Sequence, residues 1–280
     1  MPVNALRTAV SRWPVLCHHQ VTAAAARSPR TMPVRAVLFD VGDTLWHAAG
    51  APPPAEFRRR AAERAAAFLR ARGLPAADPA ALARACWDAM EAAMRAARSG
   101  DLVEPDYPRV AADAAAALGV PLDRAAAADF LDAIYVSGAE GGKVAYPDAR
   151  PTLDALRQRG FHLGIVTNRA FGGERFRADL REAGLDIDWD VIAVSVEVGY
   201  LKPHPRLFHA ALDALGLAPA EAVMVGNSLA EDIAGAQRLG MPAAWKRSAA
   251  DADGVVPDFT FDRVSELLDW SLLAEAARVR

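Results

Sequence analysis

An aspartate at position 40 follows a short apolar run and opens a glycine-containing turn. Residues 34–39 read Val-Arg-Ala-Val-Leu-Phe, and residues 40–44 read Asp-Val-Gly-Asp-Thr. A β-branched and aromatic run of this kind predicts a buried strand. Open parallel sheets bind their ligands at the carboxyl ends of their strands, so Asp40 stands where a nucleophilic carboxylate would act.

Three further segments carry polar side chains that suit the handling of an anion. They are Thr167-Asn168 after Ile165-Val166, Lys202 within Gly199-Tyr200-Leu201-Lys202-Pro203, and Gly226-Asn227-Ser228 with Asp232 beyond, after Val223-Met224-Val225. The Thr167 hydroxyl and the adjacent backbone N–H could hold a phosphoryl oxygen. Lysine is a compact point charge that suits a phosphate or carboxylate, and the prolines around Lys202 stiffen its loop.

In their order and spacing, these four segments resemble the motifs of the haloacid dehalogenase-like (HAD) hydrolase superfamily, over residues 33 to 268. The resemblance implies an α/β fold with a Rossmann-like parallel sheet core and an inserted all-helical cap of the C1 type. It implies that Asp40 attacks phosphorus to form an aspartyl-phosphate. It also implies that Thr167, Asn168 and Lys202 bind the phosphoryl group, with Mg²⁺ as cofactor.

The chain departs from the family pattern at the position of the general acid. Thr44 sets the register and makes Asp40 the nucleophile, so the residue two positions on, usually an Asp, is Gly42. Asp43 does not replace it, because successive side chains of an extended turn point in opposite directions. We therefore expect slow acid–base chemistry and a preference for good leaving groups.

A second departure affects the metal site, whose first motif-four acid is Asn227. By resemblance, Mg²⁺ would take a carboxylate oxygen of Asp40, the backbone carbonyl of Gly42 and the side chain of Asn227, and Asp232, also assigned to the metal site, retains a charge. Mg²⁺ prefers hard oxygen ligands. Because an amide oxygen is neutral, we expect a weakened site.

Hydrophobic spacing predicts how the chain is divided. Steps of three and four among Phe57, Ala61, Ala65 and Phe68 predict a helix that ends at Gly73, and further helices are predicted at 79–98, 108–118 and 124–135. Beyond these, helices at 149–159, 173–183, 205–215, 230–239 and 263–275 alternate with strands at 162–167, 190–194, 221–225, 243–245 and around 259–261. This alternation predicts a parallel sheet with helices on both faces. We assign residues 33–46 and 146–280 to the core and 47–145 to the cap.

The first residues stand apart from this pattern. Residues 1–32 contain Arg7, Arg12, Arg27 and Arg30 but no acidic residue. They could be an organelle transit peptide or the product of a misassigned start, with Met32 as the natural start. We favour the second reading, since the Ala/Arg-heavy composition suggests a GC-rich bacterial genome. In both cases we expect disorder here.

Composition narrows the classes of partner. The 280 residues are 52% hydrophobic and 24% charged, with a net charge of −3, so long-range attraction to nucleic acid or anionic membranes is not expected. No run approaches the apolar length of a membrane span. The two cysteines, Cys17 and Cys86, imply no disulfide framework and fit a reducing cytoplasm. We expect a small-molecule ligand and a monomer or homodimer.

The sequence thus favours a Mg²⁺-dependent phosphatase of small phosphorylated metabolites, impaired by Gly42. Two alternatives remain open. One is a metal-independent 2-haloacid dehalogenase-like hydrolase, in which the departing halide needs no proton. The other is a non-catalytic HAD-like protein that binds a ligand. Trp46, His47 and the run Arg58-Arg59-Arg60 are candidate substrate contacts, although an arginine run is typically a solvated helix face.

Overall fold

The computed structural model describes residues 33–74, 78–248 and 254–276. Within them, six parallel strands form one sheet in the order β5-β4-β1-β6-β7-β8. Its strands are β1 (Ala36–Phe39), β4 (His162–Thr167), β5 (Val191–Val194), β6 (Ala222–Gly226), β7 (Ala243–Lys246) and β8 (Phe259–Phe261). This arrangement confirms the predicted α/β class.

Helices cover both faces of the sheet, which explains why its strands are apolar on both sides. In β1, Phe39 belongs to one buried cluster and Leu38 to the other, and neither is exposed. The helices of this part of the chain are α5 (Ala149–Gln158), α6 (Gly173–Glu182), α7 (Ser195–Val198), α8 (Pro205–Leu215), α9 (Ala234–Gln237) and α10 (Ser271–Ala276).

A helical insertion occupies residues 49–142, between two short strands, β2 (Trp46–Ala48) and β3 (Lys143–Ala145), which pair antiparallel. Its helices are α1 (Pro54–Arg72), α2 (Pro79–Ser99), α3 (Tyr107–Ala117) and α4 (Arg124–Ile134). Aspartates cap three of them, since the carboxylates of Asp78, Asp106 and Asp123 accept backbone N–H groups of the first turns. The insertion packs its own core around Leu82, Cys86, Tyr107 and Phe130.

Two predicted helices are interrupted, each at a side chain that makes a specific contact. The segment 230–239 is a π-helical turn (Leu229–Ile233) followed by α9, because the carboxylate of Asp232 folds back onto the N–H of Ser228, at 2.9 Å. The segment 263–275 is a 3₁₀ turn (Val264–Asp269) followed by α10. Between them Trp270 is extended and stacks on Phe259, with ring centroids 5.4 Å apart.

Two of the sequence predictions concern residues that lie outside the described part of the chain. They are the predicted disorder of residues 1–32 and the state of Cys17. Cys86 is buried as a free thiol, and burial raises its pKa to about 12. No helix in the described part of the chain has the length and apolarity to cross a membrane.

The insertion contacts the sheet edge through a segment that we call the clasp, residues 102–104. The N–H of Leu201 donates to the carbonyl of Leu102 at 2.8 Å, and the N–H of Glu104 donates to the carbonyl of Gly199 at 3.0 Å. These backbone bonds join the α2–α3 connection directly to the loop that carries Lys202. The insertion therefore closes against the core next to one of the residues predicted to do chemistry.

The clasp also buries a carboxyl group. Burial raises the pKa of Glu104 above its ordinary value, against the lowering effects of Tyr107, Ser195 and Arg98. Because the folded-state pKa exceeds the unfolded-state pKa, the contribution of this carboxyl to the free energy of unfolding is fully present below its unfolded-state pKa. The contribution is lost as the pH rises through its folded-state pKa, since the buried group must then ionise.

We therefore expect Glu104→Gln to raise the melting temperature at pH 7 by about 2–4 °C, corresponding to ~1 kcal/mol, and to change it little near pH 4. Thermal unfolding between pH 4 and 8 measures this. Glu91→Gln, on the exposed face of α2, is the matched control and should show no such gain. An equal effect of Glu104→Gln at both pH values would contradict the burial argument.

Candidate active site

The site lies at the carboxyl ends of adjacent central strands. Phe39 in β1 is level with Ile165 in β4 and Val225 in β6, so the residues that follow these strands meet at one edge. Asp40 continues from β1, and its N–H donates to the carbonyl of Val225 at 2.8 Å. Thr167 ends β4. The sheet register alone therefore brings Asp40 beside Thr167.

A buried lysine joins two carboxylates at this edge. The Nζ of Lys202 lies 2.7 Å from Oδ1 of Asp40 and 2.7 Å from Oδ1 of Asp232, and it donates to the carbonyl of Val166 at 2.8 Å. Only 2% of the Lys202 side chain is exposed. A charge this deeply buried is tolerated only when it is paired and hydrogen-bonded. The two aspartates supply that pairing.

The charges of this cluster shift one another's titration. Burial by itself would lower the pKa of Lys202, but the carboxylates of Asp232 and Asp40 raise it above its ordinary value. Burial raises the pKa of Asp232, with Lys202 opposing the rise and Asp40 adding to it. Lys202 therefore remains a fixed positive charge at neutral pH.

A glycine and a π-helical turn together place Asp232. One oxygen of its carboxylate faces Lys202, and the other accepts the N–H of Ser228 at 2.9 Å. A Cβ at Gly226 would lie 2.2 Å from this carboxylate, so only glycine leaves room for it.

The two oxygens of Asp40 have different surroundings. Oδ1 accepts hydrogen bonds from Lys202 and from the Thr167 hydroxyl at 3.2 Å, whereas Oδ2 faces the Thr44 hydroxyl at 3.4 Å. Asp40 is 8% exposed, so a small group can reach it. The weakly held Oδ2 is the oxygen better suited to attack. A Cβ at Gly42 would meet Oδ2 at 4.0 Å and nothing closer, which leaves open the space where an acid would stand.

Asn168 has a role in the structure that its strand-end position did not indicate. Its Oδ1 accepts the N–H of Lys202 at 2.7 Å, and its Nδ2 donates to the carbonyl of Lys202 at 3.2 Å. The same Nδ2 donates to Oε2 of Glu231 at 3.1 Å. The side chain of Asn168 thus holds the lysine loop. Sequence reasoning missed Glu231, whose position next to Asp232 was the available signal.

The oxygen donors at this edge suit a hard cation. Among the described residues, no group of three or more His, Cys, Asp or Glu side chains could hold a metal ion. The donors predicted from the sequence are instead a carboxylate oxygen of Asp40, the carbonyl of Gly42 and the side chain of Asn227. The loop of Asn227 is fixed where Trp245 donates to the Asn227 carbonyl at 3.0 Å. Such oxygens match the preference of Mg²⁺. Both Asp232 oxygens already have protein partners, so its charge acts from beside the donors.

The other predicted contacts are used for packing or lie on the surface. Trp46 is buried and meets Phe176 edge-on, with ring centroids 6.1 Å apart. His47 stacks on Tyr146 at 4.4 Å. Of the arginine run, Arg59 and Arg60 pair with Glu56, and Arg58 is exposed. Asp43 is exposed, with φ at +52°.

Comparison with known proteins gives relatives named as phosphatases. Glyceraldehyde 3-phosphate phosphatase of Methanopyrus kandleri is 39% identical over 130 residues, which are 44% of this chain and 55% of that protein. Phosphoserine phosphatase of Thermus thermophilus is 42% identical over 100 residues, 36% of this chain and 39% of that protein. The chain spans about half the length of these curated relatives, or less.

Solved structures and a family model match more of the chain. A HAD phosphatase from Thermococcus onnurineus is 26% identical, with a TM-score of 0.52, covering 84% of this chain and 97% of that one. A 2-haloacid dehalogenase from Pseudomonas syringae pv. Tomato is 25% identical, with a TM-score of 0.59, covering 86% and 99%. The model of haloacid dehalogenase-like hydrolases matches residues 34–240, which include each motif described above. The chain therefore belongs to the haloacid dehalogenase-like hydrolase family.

Proposed function

We propose that this hydrolase is a phosphatase of small phosphorylated metabolites that acts through an aspartyl-phosphate on Asp40. The observation that carries the proposal is the unequal surroundings of the Asp40 carboxylate. Lys202 and Thr167 hold Oδ1, while Oδ2 remains weakly held. The relatives' phosphatase names support the same reaction class.

In the first step, Oδ2 of Asp40 forms a bond to phosphorus while the ester P–O bond breaks. The departing oxygen takes its proton from water, because Gly42 has no acidic side chain. Water then attacks the aspartyl-phosphate, releasing inorganic phosphate and restoring the carboxylate. The ammonium of Lys202 and the hydroxyl of Thr167 stabilise the negative charge on the phosphoryl oxygens, which is the largest kind of contribution to such catalysis.

We infer that Mg²⁺ is the cofactor, held by Asp40, the Gly42 carbonyl and Asn227, with Asp232 adding charge nearby. When bound, it would neutralise charge on the phosphoryl group and help to orient it. The neutral Asn227 oxygen makes the binding weaker than a carboxylate would.

We further propose that residues 47–145 act as a cap over a core of residues 33–46 and 146–280, and that this cap selects the substrate. The clasp supports the assignment, since it brings the insertion to the Lys202 loop. Cytoplasmic location and a monomeric or homodimeric state remain predictions.

The decisive test is hydrolysis of p-nitrophenyl phosphate by the full chain, with Mg²⁺ or with EDTA. We expect Mg²⁺-dependent release that Asp40→Asn lowers by at least ~10³-fold, because the nucleophile is lost. Asp43→Asn is the matched control. It makes the same chemical change three residues away, at an exposed position whose φ of +52° asparagine tolerates. Asp43→Asn should retain activity.

Release that survives Asp40→Asn would contradict the proposal. The second candidate, a dehalogenase, is favoured by Gly42, because carbon–halogen displacement needs no proton donor. Halide release from 2-haloacids without metal, together with no phosphate release, would establish it instead. Thermal stabilisation by inorganic phosphate without either turnover would indicate a binding protein.

Restoring the missing acid is a separate test. The open space at Gly42 accepts a side chain, so we expect Gly42→Asp to raise kcat on alkyl phosphates by about 10–100-fold, within the range of general acid catalysis. The gain should be smaller on p-nitrophenyl phosphate, whose leaving group needs no proton. Gly42→Asn, of similar size but without an acid, should give no gain. Equal gains from both variants would show that bulk, rather than proton transfer, is responsible.

A further inference from the structure

A line of side-chain contacts runs from the helical insertion to the catalytic lysine. It begins at Arg98 near the end of α2, whose Nε lies 3.3 Å from Oε1 of Glu231. The other oxygen of Glu231 accepts Nδ2 of Asn168. Asn168 holds the backbone of Lys202 on both sides. Each link joins a different segment of the chain.

Glu231 reinforces the orientation of the Asn168 amide that the N–H and carbonyl of Lys202 also favour. A carboxylate only accepts hydrogen bonds, so it requires the NH₂ end of the amide. In the opposite orientation, the Asn168 oxygen would face Glu231, and its NH₂ group would face the N–H of Lys202. Both contacts would be repulsive. Glu231 therefore keeps the amide in the orientation that accepts the N–H of Lys202.

Arg98 in turn keeps Glu231 in place. The side chain of Glu231 is 23% exposed, and Glu231 directly precedes Asp232 in the chain, so the cation of Arg98 helps to hold a second carboxylate close to the first. A cation is also favoured in the last turn of α2 by the helix dipole. Without Arg98, Glu231 could turn toward solvent and release the amide.

The clasp provides a second link from the insertion to the same loop. Leu201, whose N–H donates to Leu102, directly precedes Lys202. Arg98 and the clasp lie within one short stretch of the chain, residues 98–104, which includes the end of α2 and the start of its connection to α3. The side-chain contacts and the backbone contacts therefore both join the insertion to the Lys202 loop.

We propose that Arg98 is a positioning residue that acts through Glu231 and Asn168, so that this contact from the helical insertion holds Lys202 in place for catalysis. The catalytic part of this proposal rests on the proposed phosphatase function. Arg98 itself touches none of the predicted reacting groups.

Kinetics of the full-length protein test the catalytic part. Arg98→Ala and Glu231→Gln should each lower kcat on p-nitrophenyl phosphate by about tenfold, with KM changed less than about threefold, because misplacement of Lys202 affects the chemical step. The double variant should be no worse than either single one, and Arg98→Lys should restore part of the rate. Arg95→Ala, which removes the exposed pair with Glu91 on the same helix, should behave as wild type.

Hydrogen exchange followed by mass spectrometry tests the link without turnover. Backbone amides of residues 199–204 should exchange about tenfold faster in Arg98→Ala and Glu231→Gln, and at the wild-type rate in Arg95→Ala. Unchanged exchange in this segment overturns the proposal, whatever the kinetics show. Faster exchange with wild-type kcat overturns its catalytic part. If wild type hydrolyses no phosphate ester, the phosphatase function fails, and exchange alone decides whether Arg98 holds the Lys202 loop.

Discussion

The buried ammonium of Lys202 is the constraint on which the rest of the site depends. A positive charge in a dry interior requires negative partners at hydrogen-bonding distance, and Asp40 and Asp232 meet it at 2.7 Å each. Asp40 comes from the end of β1 and Asp232 from the turn after β6. The sheet brings the ends of β1 and β6 close together, and the lysine then joins them through its two ion pairs. The arrangement also affects stability, because removing Lys202 would leave two buried carboxylates without their cation, and removing one aspartate would leave the lysine with a single carboxylate partner.

The backbone around this cluster is shaped to permit it. The register of the parallel strands puts Asp40 and Thr167 at one edge. Gly226 leaves the room that the Asp232 carboxylate fills, and the π-helical turn lets that carboxylate return to the N–H of Ser228. Each feature costs something locally, since a π-helical turn and an interior glycine are unfavourable by themselves. Such costs are typical where position matters more than stability.

In the proposed phosphatase reaction, the site keeps the charged groups and hydroxyls that stabilise a phosphoryl group and lacks a proton donor at position 42. Fixed charges and hydroxyls oriented toward a phosphoryl group account for much of the barrier reduction in phosphate transfer, whereas a positioned acid contributes roughly 10²–10⁴. Gly42 removes the smaller contribution and leaves a space beside Oδ2 of Asp40. The position of Lys202 also depends on the helical insertion, because the insertion contacts the loop that carries this lysine. Direct contacts thus join the insertion to the loop that positions the lysine.

The sequence by itself determined the α/β class, most helix and strand bounds, and the positions of Asp40, Thr167, Lys202 and Asp232, because hydrophobic period and strand-end motifs are local patterns. It did not reveal the use of Asn168 to hold a loop, the interruption of the helix at 230–239, or the link from Arg98 to Glu231. The contacts of Asn168 and of Arg98 join residues that are 34 and 133 positions apart, counting from Asn168 to Lys202 and from Arg98 to Glu231. No local pattern encodes such pairs. Only the packed tertiary structure brings these residues within hydrogen-bonding distance. There, an unpaired buried polar group is costly, so each group must find a partner.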